Sequence, residues 1–214
     1  MQTRRRFLTL ALRNTLGGGL LLELLATPKK WAWAATRKVL GKDTKRESLI
    51  HENPAALDPT NLAITPLEQF GTMGPIDRVV DLDTWRLEIT GQVKRPLLLP
   101  YNQLTALPPV EREVLLICPG FFANHGRWRG VSLQDLLHQA DYDRTASRVT
   151  IEAKGEKAIS FPLTEVLVER VFLAYQVNGQ ALPRKHGFPL RLVAEDHYGS
   201  DWVKYVDRIT VERS

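Results

Sequence analysis

The stretch Leu115-Leu-Ile-Cys-Pro-Gly-Phe-Phe-Ala-Asn-His-Gly-Arg-Trp-Arg-Gly130 holds the only cysteine of the 214-residue chain. Four apolar residues, Val114 to Ile117, run straight into Cys118, which is the pattern of a short buried strand. Pro119-Gly120 stops that strand. The residues beyond it, among them Asn124, His125, Arg127, Trp128 and Arg129, read as a loop rich in donors and cations. A thiol at the end of a buried strand, facing such a loop, suits a metal ligand or a nucleophile. It suits equally a small core hydrophobe, because free cysteines are among the most buried residues.

On either side of this stretch, short strands dominate. Trp85-Arg-Leu-Glu-Ile89 alternates apolar and charged residues and is closed by Gly91, as a half-buried strand is. Tyr101 to Leu107 predicts one or two helical turns, ended by Pro108-Pro109. Ser132-Leu-Gln-Asp135 has the form of a helix cap, and Leu133, Leu136, Leu137 and Ala140 then share one helix face. Val149 and Ile151 predict a strand, Lys154-Gly-Glu156 a turn, and Ile159 to Phe161 an antiparallel return.

Thr164 to Arg170 predicts a short helix and Phe172 to Val177 an apolar strand; Asn178-Gly179 is the strongest hairpin signal in the chain. Leu190 to Val193 and the stretch Trp202 to Val211 complete the series. There is no regular strand–helix alternation and no glycine-rich phosphate loop. The expected class is α+β, with mixed β-sheets and short helices.

The N-terminal 35 residues read as an address rather than as fold. Thr3-Arg-Arg-Arg-Phe-Leu8 is a twin-arginine type of charged region, a mildly apolar segment follows to about Ala26, and Ala32-Trp-Ala34 offers small residues for cleavage. Arg13, Glu23 and Gly17-Gly-Gly19 make that segment a poor membrane span. A basic amphipathic anchor, or an uncleaved tether, is the competing reading. Export to the periplasm by the twin-arginine route is the expectation. Residues 36–75, polar and broken by Asn53-Pro54 and Asp58-Pro59, read as an extended arm, leaving 76–214 as one domain.

The leader also carries the charge. The chain has 29 basic and 24 acidic residues, a net of +5. Residues 1–34 hold six of the basic ones and one acidic one, so the remainder balances at 23 of each. A neutral domain gives no basis for nucleic-acid binding. One cysteine excludes an intrachain disulfide, and in an oxidising compartment an unpaired thiol is a liability unless buried or ligated.

Cys118 with His125, His186 or His197 could make a cysteine hydrolase, although no spacing marks one. Zinc would need several Cys and His ligands at short spacing. A single thiolate on a soft metal, with the remaining ligands supplied by an organic cofactor, fits the residue counts best.

From Trp85 to Val211 the sequence resembles the molybdopterin-binding domain of the sulfite oxidase family. The matching pieces are Trp85-Arg-Leu-Glu-Ile-Thr-Gly91, Leu97-Leu-Leu-Pro-Tyr101, Cys118-Pro-Gly120, Trp128-Arg-Gly-Val-Ser-Leu133, Asp135-Leu-Leu137, Leu173-Ala-Tyr-Gln-Val-Asn-Gly179, His186-Gly-Phe-Pro-Leu-Arg-Leu-Val193, Tyr198-Gly199 and Trp202-Val-Lys-Tyr205, all in family order. The resemblance implies that fold, with a molybdenum–molybdopterin cofactor and Cys118 as direct ligand of the metal. It also implies that His186, Arg191 and Lys204 contact the cofactor through their side chains, and Trp202 and Val203 through their backbone.

The departures bear on substrate. Sulfite oxidases have an Arg-Asn-His stretch upstream and an arginine shortly after the cysteine; here those places read Phe70-Gly-Thr-Met-Gly74 and Pro119-Gly-Phe-Phe122. The short exported form with Glu68-Gln-Phe-Gly-Thr72 is more similar to the periplasmic methionine-sulfoxide reductase branch. There the residues matching Glu68 and Gln69 lie against the pterin, although Thr65 replaces that branch's asparagine.

The resemblance therefore implies an exported oxidoreductase that transfers an oxygen atom on a small sulfur or nitrogen compound. Its electrons would pass to or from a membrane haem subunit or a soluble cytochrome. Phe121 and Phe122 would give an apolar pocket, and Asn124, His125 and Arg127 are candidates for the substrate funnel, the last two as catalytic residues. A non-catalytic binding module on the same fold is the alternative.

Overall fold

The computed structural model describes residues 36–168 and 170–213; the expected leader lies outside them. The first elements are two-residue strands, β1 (Lys38–Val39) and β2 (Leu57–Asp58), paired in parallel, with single 3₁₀ turns between and after them. The domain proper begins with β3 (Arg86–Gly91), β4 (Leu97–Pro100), helix α1 (Tyr101–Ala106), β5 (Pro109–Cys118), β6 (Phe122–Ser132) and α2 (Leu133–Gln139). It continues with β7 (Arg148–Glu152), β8 (Ile159–Pro162), α3 (Leu163–Val166), β9 (Val171–Val177), β10 (Gln180–Ala181), β11 (Arg191–Ala194) and β12 (Arg208–Glu212).

Two five-stranded sheets result. One runs β10-β9-β6-β5 with β11 also on β9, all antiparallel. The other runs β4-β3-β12-β7-β8, with β3 and β12 parallel and the remaining pairs antiparallel. This is the expected α+β class with mixed sheets and short helices. The hairpin signal at Asn178-Gly179 is realised with positive φ at both residues, 52° and 75°, as a type I′ turn requires. Ser132 caps α2 by accepting a 3.1 Å bond from the Asp135 N–H.

Three local expectations change. The helix after Phe161 stops at Val166, well short of Arg170. The stretch from Trp202 is irregular until Arg208, although Trp202, Val203, Tyr205 and Val206 are all buried. Most consequentially, the loop expected after Cys118 is a strand. β5 and β6 form one long hairpin paired without interruption from Cys118↔Phe122 to Pro109↔Val131.

The alternation that marks a strand is hidden there because Ala123 to Gly126 are buried on both faces. One face packs against the large core shared by the two sheets, where Val114, Leu116 and Trp128 sit. On the other face Leu115, Ile117 and Ala123 meet Leu40, Leu49, Leu57 and Leu62 from residues 36–75. Each of those four leucines is 5% exposed or less, so each contributes roughly 1.5–3 kcal/mol of burial. Residues 36–65 therefore form the outer cover of the hairpin, pinned also by Arg37, whose guanidinium donates 2.8 and 2.6 Å bonds to the two carboxylate oxygens of Asp196.

Candidate active site

Side chains on a strand alternate faces with a period of two, and the pairing of β5 with β6 decides which residues accompany Cys118. Leu116 and Cys118 share a face with their partners Asn124 and Phe122. Leu115, Ile117, Ala123, His125 and Arg127 belong to the other face. A cavity of about 140 Å³ opens on the Cys118 side. Its walls are Leu116, Cys118 and Phe122 from the hairpin, His186 and Arg191, and Gly199, Ser200, Trp202, Val203 and Lys204 from the 3₁₀ turn Gly199–Asp201 and the residues after it. Residues Gly71 to Pro75 form a strap across it, and Glu156 and Lys157 reach it from the β7–β8 turn.

The electrostatics of this cavity are unusual. Arg191 is 3% exposed, makes no ion pair among the described residues, and donates one bond of 3.1 Å to the His186 carbonyl. Its Nε has no partner. The guanidinium lies over both the Trp128 and Trp202 rings, 5.2 and 5.5 Å from their centroids, and the two indoles meet edge to face. Burial pushes its pKa down to about 10.

His186 is buried with an unpartnered Nε2, and burial, reinforced by the positive charge of Arg191, Lys185 and Lys204, pushes it down to about 3. Lys204 is pushed down to about 8 by burial and by Arg191. Burial also raises the Cys118 thiol. Arg191 is held out of water with no ion-pair partner among the described residues, and Glu156 is the one carboxylate lining the cavity; a buried unpaired cation is costly unless an anion completes it.

Of the residues expected at a site, Cys118, His186, Arg191, Trp202, Val203 and Lys204 line this one cavity. The Trp202 N–H is taken by the Gly199 carbonyl at 3.2 Å; what Trp202 leaves unpartnered is its buried indole Nε1. The remaining candidates lie elsewhere. His125 is fully buried beneath residues 36–75 with neither ring nitrogen bonded, and its backbone N–H donates to Thr65 Oγ1.

Arg127 faces solvent and pairs with Glu113, directly across the hairpin, at 2.7 Å. Both departures from the expected funnel have one cause: a strand's two-residue period turns them away from Cys118. Glu68 and Gln69 are exposed on a 3₁₀ turn before the strap, and Gln69 accepts a 2.8 Å bond from Arg46. Phe121 is 67% exposed at the hairpin tip, so of the two phenylalanines only Phe122 lines the cavity.

The strap itself is the part that no local sequence signal announced. It brings Met73 Sδ to 2.9 Å from Cys118 Sγ. Lys204 Nζ lies within bonding distance of Thr72 Oγ1 (2.8 Å) and of the carbonyls of Met73 (2.6 Å), Pro75 (3.2 Å) and Lys185 (2.7 Å). An ammonium has three N–H groups for those four oxygens.

Over residues 73–214 the chain matches the family described as the oxidoreductase molybdopterin-binding domain. The chain belongs to that family. Among curated proteins, it is 31% identical over 134 residues to the uncharacterized oxidoreductase YuiH of Bacillus subtilis, covering 62% of this chain and 68% of that protein. It is 31% identical over 181 residues to the protein-methionine-sulfoxide reductase catalytic subunit MsrP of Gluconobacter oxydans, covering 70% of this chain and 58% of that one. Rat mitochondrial sulfite oxidase is 31% identical over 185 residues, 72% of this chain but 34% of its own length.

The chain thus spans little more than half of MsrP and a third of sulfite oxidase. Among solved structures, the sulfane dehydrogenase SoxCD of Paracoccus pantotrophus superposes with a TM-score of 0.61 at 22% identity, covering 94% of this chain and 56% of that one. That likeness concerns the fold.

The family's molybdenum–molybdopterin cofactor fits the residues present. A soft thiol stands at the cavity wall for a metal, and the buried, unanswered cation Arg191, with Lys204 and the unpartnered His186 Nε2, suits the anionic end of the pterin. No carboxylate comes from the hairpin or from the Gly199–Lys204 run into the lining; Glu156 is its one acid.

Proposed function

We propose that the chain is an exported oxidoreductase of this family that transfers an oxygen atom on a small sulfur or nitrogen compound, a neutral thioether or sulfoxide being the class its cavity suits best. The observation carrying the reading is the convergence of Cys118 with the unpaired Arg191, Lys204 and neutral His186 in a single cavity. When bound, the molybdenum cofactor supplies the two-electron redox centre and the exchangeable oxygen.

The chain's own residues do the rest. Cys118, as thiolate, holds the metal; its thiol pKa is raised by burial, so the positive metal must favour the ionised form. Arg191 and Lys204 neutralise and orient the cofactor's phosphate, with His186 Nε2 and the Trp202 indole N–H as further polar partners. His186 stays neutral at ordinary pH and adds no competing charge.

The surroundings of Cys118 argue for an uncharged substrate. Leu116, Phe122 and Met73 are apolar, while Arg127 and Arg129 pair with Glu113 and Glu111 on the outer face of the hairpin. The cations facing the cavity are Arg191, Lys204 and Lys157, and the first two are committed to the cofactor in this reading. A dianion such as sulfite would have to surrender its hydration beside the apolar side chains of Leu116, Phe122 and Met73. In this reading the electrons pass to or from an external partner, a membrane haem subunit or a soluble cytochrome. Residues 1–35 are the twin-arginine leader in this reading, and the periplasm the destination.

The deciding experiment is elemental analysis of protein from its native host beside a Cys118→Ser variant, followed by a reduction and oxidation assay on methionine sulfoxide and sulfite. The wild type should carry about one molybdenum per chain and prefer the sulfoxide. The variant should lose activity to background. Molybdenum retained with full activity in Cys118→Ser would sink the assignment.

A further inference from the structure

We propose that Asn124 is a positioning residue of this site: its buried carboxamide hangs the Gly71–Pro75 strap so that the Met73 thioether rests on the Cys118 sulfur. Asn124 lies opposite Leu116 in the hairpin, on the Cys118 face, and is 1% exposed. Its Oδ1 accepts a 3.0 Å bond from the Gly71 N–H, and its Nδ2 donates a 2.9 Å bond to the Gly71 carbonyl. The carboxamide thus offers one acceptor and one donor to one residue's backbone pair, as a neighbouring strand would. Aspartate lacks the donor and leucine lacks both.

The register is fixed by a second contact. A Cβ on residue 71 would sit 2.3 Å from the Phe122 ring, so the backbone approaches as closely as it does only because residue 71 is glycine. Two residues beyond this anchor, Met73 Sδ meets Cys118 Sγ at 2.9 Å.

The strap has two tethers of different kinds. Lys204 holds Thr72, Met73 and Pro75 by a charge, and any anion entering the cavity competes for that ammonium. The Asn124 bonds are neutral and out of water, so they persist through such competition. Asn124 is therefore the fixed end of the strap and Lys204 the end that ligand chemistry can loosen. The consequence for substrate choice, a thioether-bearing cover over the reacting centre, rests on the functional reading above; the mechanical claim does not.

The test measures alkylation of Cys118 by iodoacetamide in the full chain prepared without molybdate, with molybdenum content, KM and kcat measured on the same variants prepared with it. Met73→Ala should speed alkylation by about tenfold, and Asn124→Asp by about three- to tenfold, a tenfold change corresponding to about 1.4 kcal/mol. Met73→Leu, of similar bulk, should keep the wild-type rate. The double variant Asn124→Asp, Met73→Ala should react no faster than Met73→Ala alone, because both changes remove one cover.

In loaded enzyme, Asn124→Asp should raise KM for the sulfoxide more than it lowers kcat. A wild-type alkylation rate in Asn124→Asp, or effects that multiply in the double variant, would overturn the inference. Absence of molybdenum from the wild type would overturn the functional reading instead and leave the alkylation series to stand alone.

Discussion

The two faces of the β5–β6 hairpin are built to opposite rules. On one, Leu115, Ile117 and Ala123 are sealed by leucines of residues 36–75, and the layer is apolar apart from His125 and Thr65. On the other, Leu116, Cys118 and Phe122 line a cavity with a buried arginine unpaired among the described residues, a half-buried lysine and a neutral histidine. On the first face the His125 ring is the one buried polar group left unbonded among the described residues; the other face gathers several such groups around one space. Burial alone does not separate structure from function here, since His125 is as buried as anything on the cavity side. What separates them is whether the polar groups converge on a shared space.

Substitutions on the two faces should therefore fail in opposite ways. Arg191→Met on the cavity face should abolish cofactor loading, seen as loss of molybdenum per chain, yet leave the cofactor-free fold as stable as wild type or about 1–4 kcal/mol more so by urea denaturation, since an unpaired buried charge is removed. A loss of stability relative to wild type would show that Arg191 serves the fold. Ile117→Ala on the sealed face should do the reverse. It should cost about 2–5 kcal/mol of unfolding free energy while molybdenum per folded chain is unchanged.

Acid lability sharpens the comparison, because each face contributes a histidine. His186 has a folded pKa of about 3, far below its ordinary value, and burial lowers that of His125 as well. In the unfolded chain both protonate near pH 6.5. Below that the unfolded state binds protons that the folded state does not, so stability is fully present above about pH 6.5 and falls as pH drops toward 3. His186→Gln should flatten the stability profile in that window, measured as the urea midpoint between pH 7 and 4; His125→Gln should flatten it by a smaller amount. An unchanged slope in both would contradict the burial argument. The smallest effect belongs to Arg127→Ala, a solvent-facing pair: melting temperature and KM should stay at wild-type values.

Much of the fold was legible because its signals are local. The Asn178-Gly179 turn, the Ser132 cap and the alternation in β3 each depend on a few adjacent residues. β6 was not, because two layers cover it and the alternation vanishes from Ala123 to Gly126. That single missing period sent His125 and Arg127 to the wrong side. The cofactor-facing candidates His186, Arg191 and Lys204 were reached through family resemblance, and nothing in their own spacing would have gathered them. Asn124 was singled out with its neighbours, but its partner Gly71 lies 53 residues upstream, where no local pattern announces a contact.

Composition and short-range pattern by themselves determined the class of fold, the charge balance of the chain beyond its basic first 34 residues and the singularity of Cys118. Each of these is a sum over residues or a relation between near neighbours, and needs no coordinates. Tertiary structure alone decided which side of the hairpin Cys118 faces, that Arg191 stays unpaired, and that a strap places a thioether on the thiol. Those are relations between distant segments, fixed by strand register and by which surfaces find cover, and the energy that selects them is spread over the whole core rather than written at any one position.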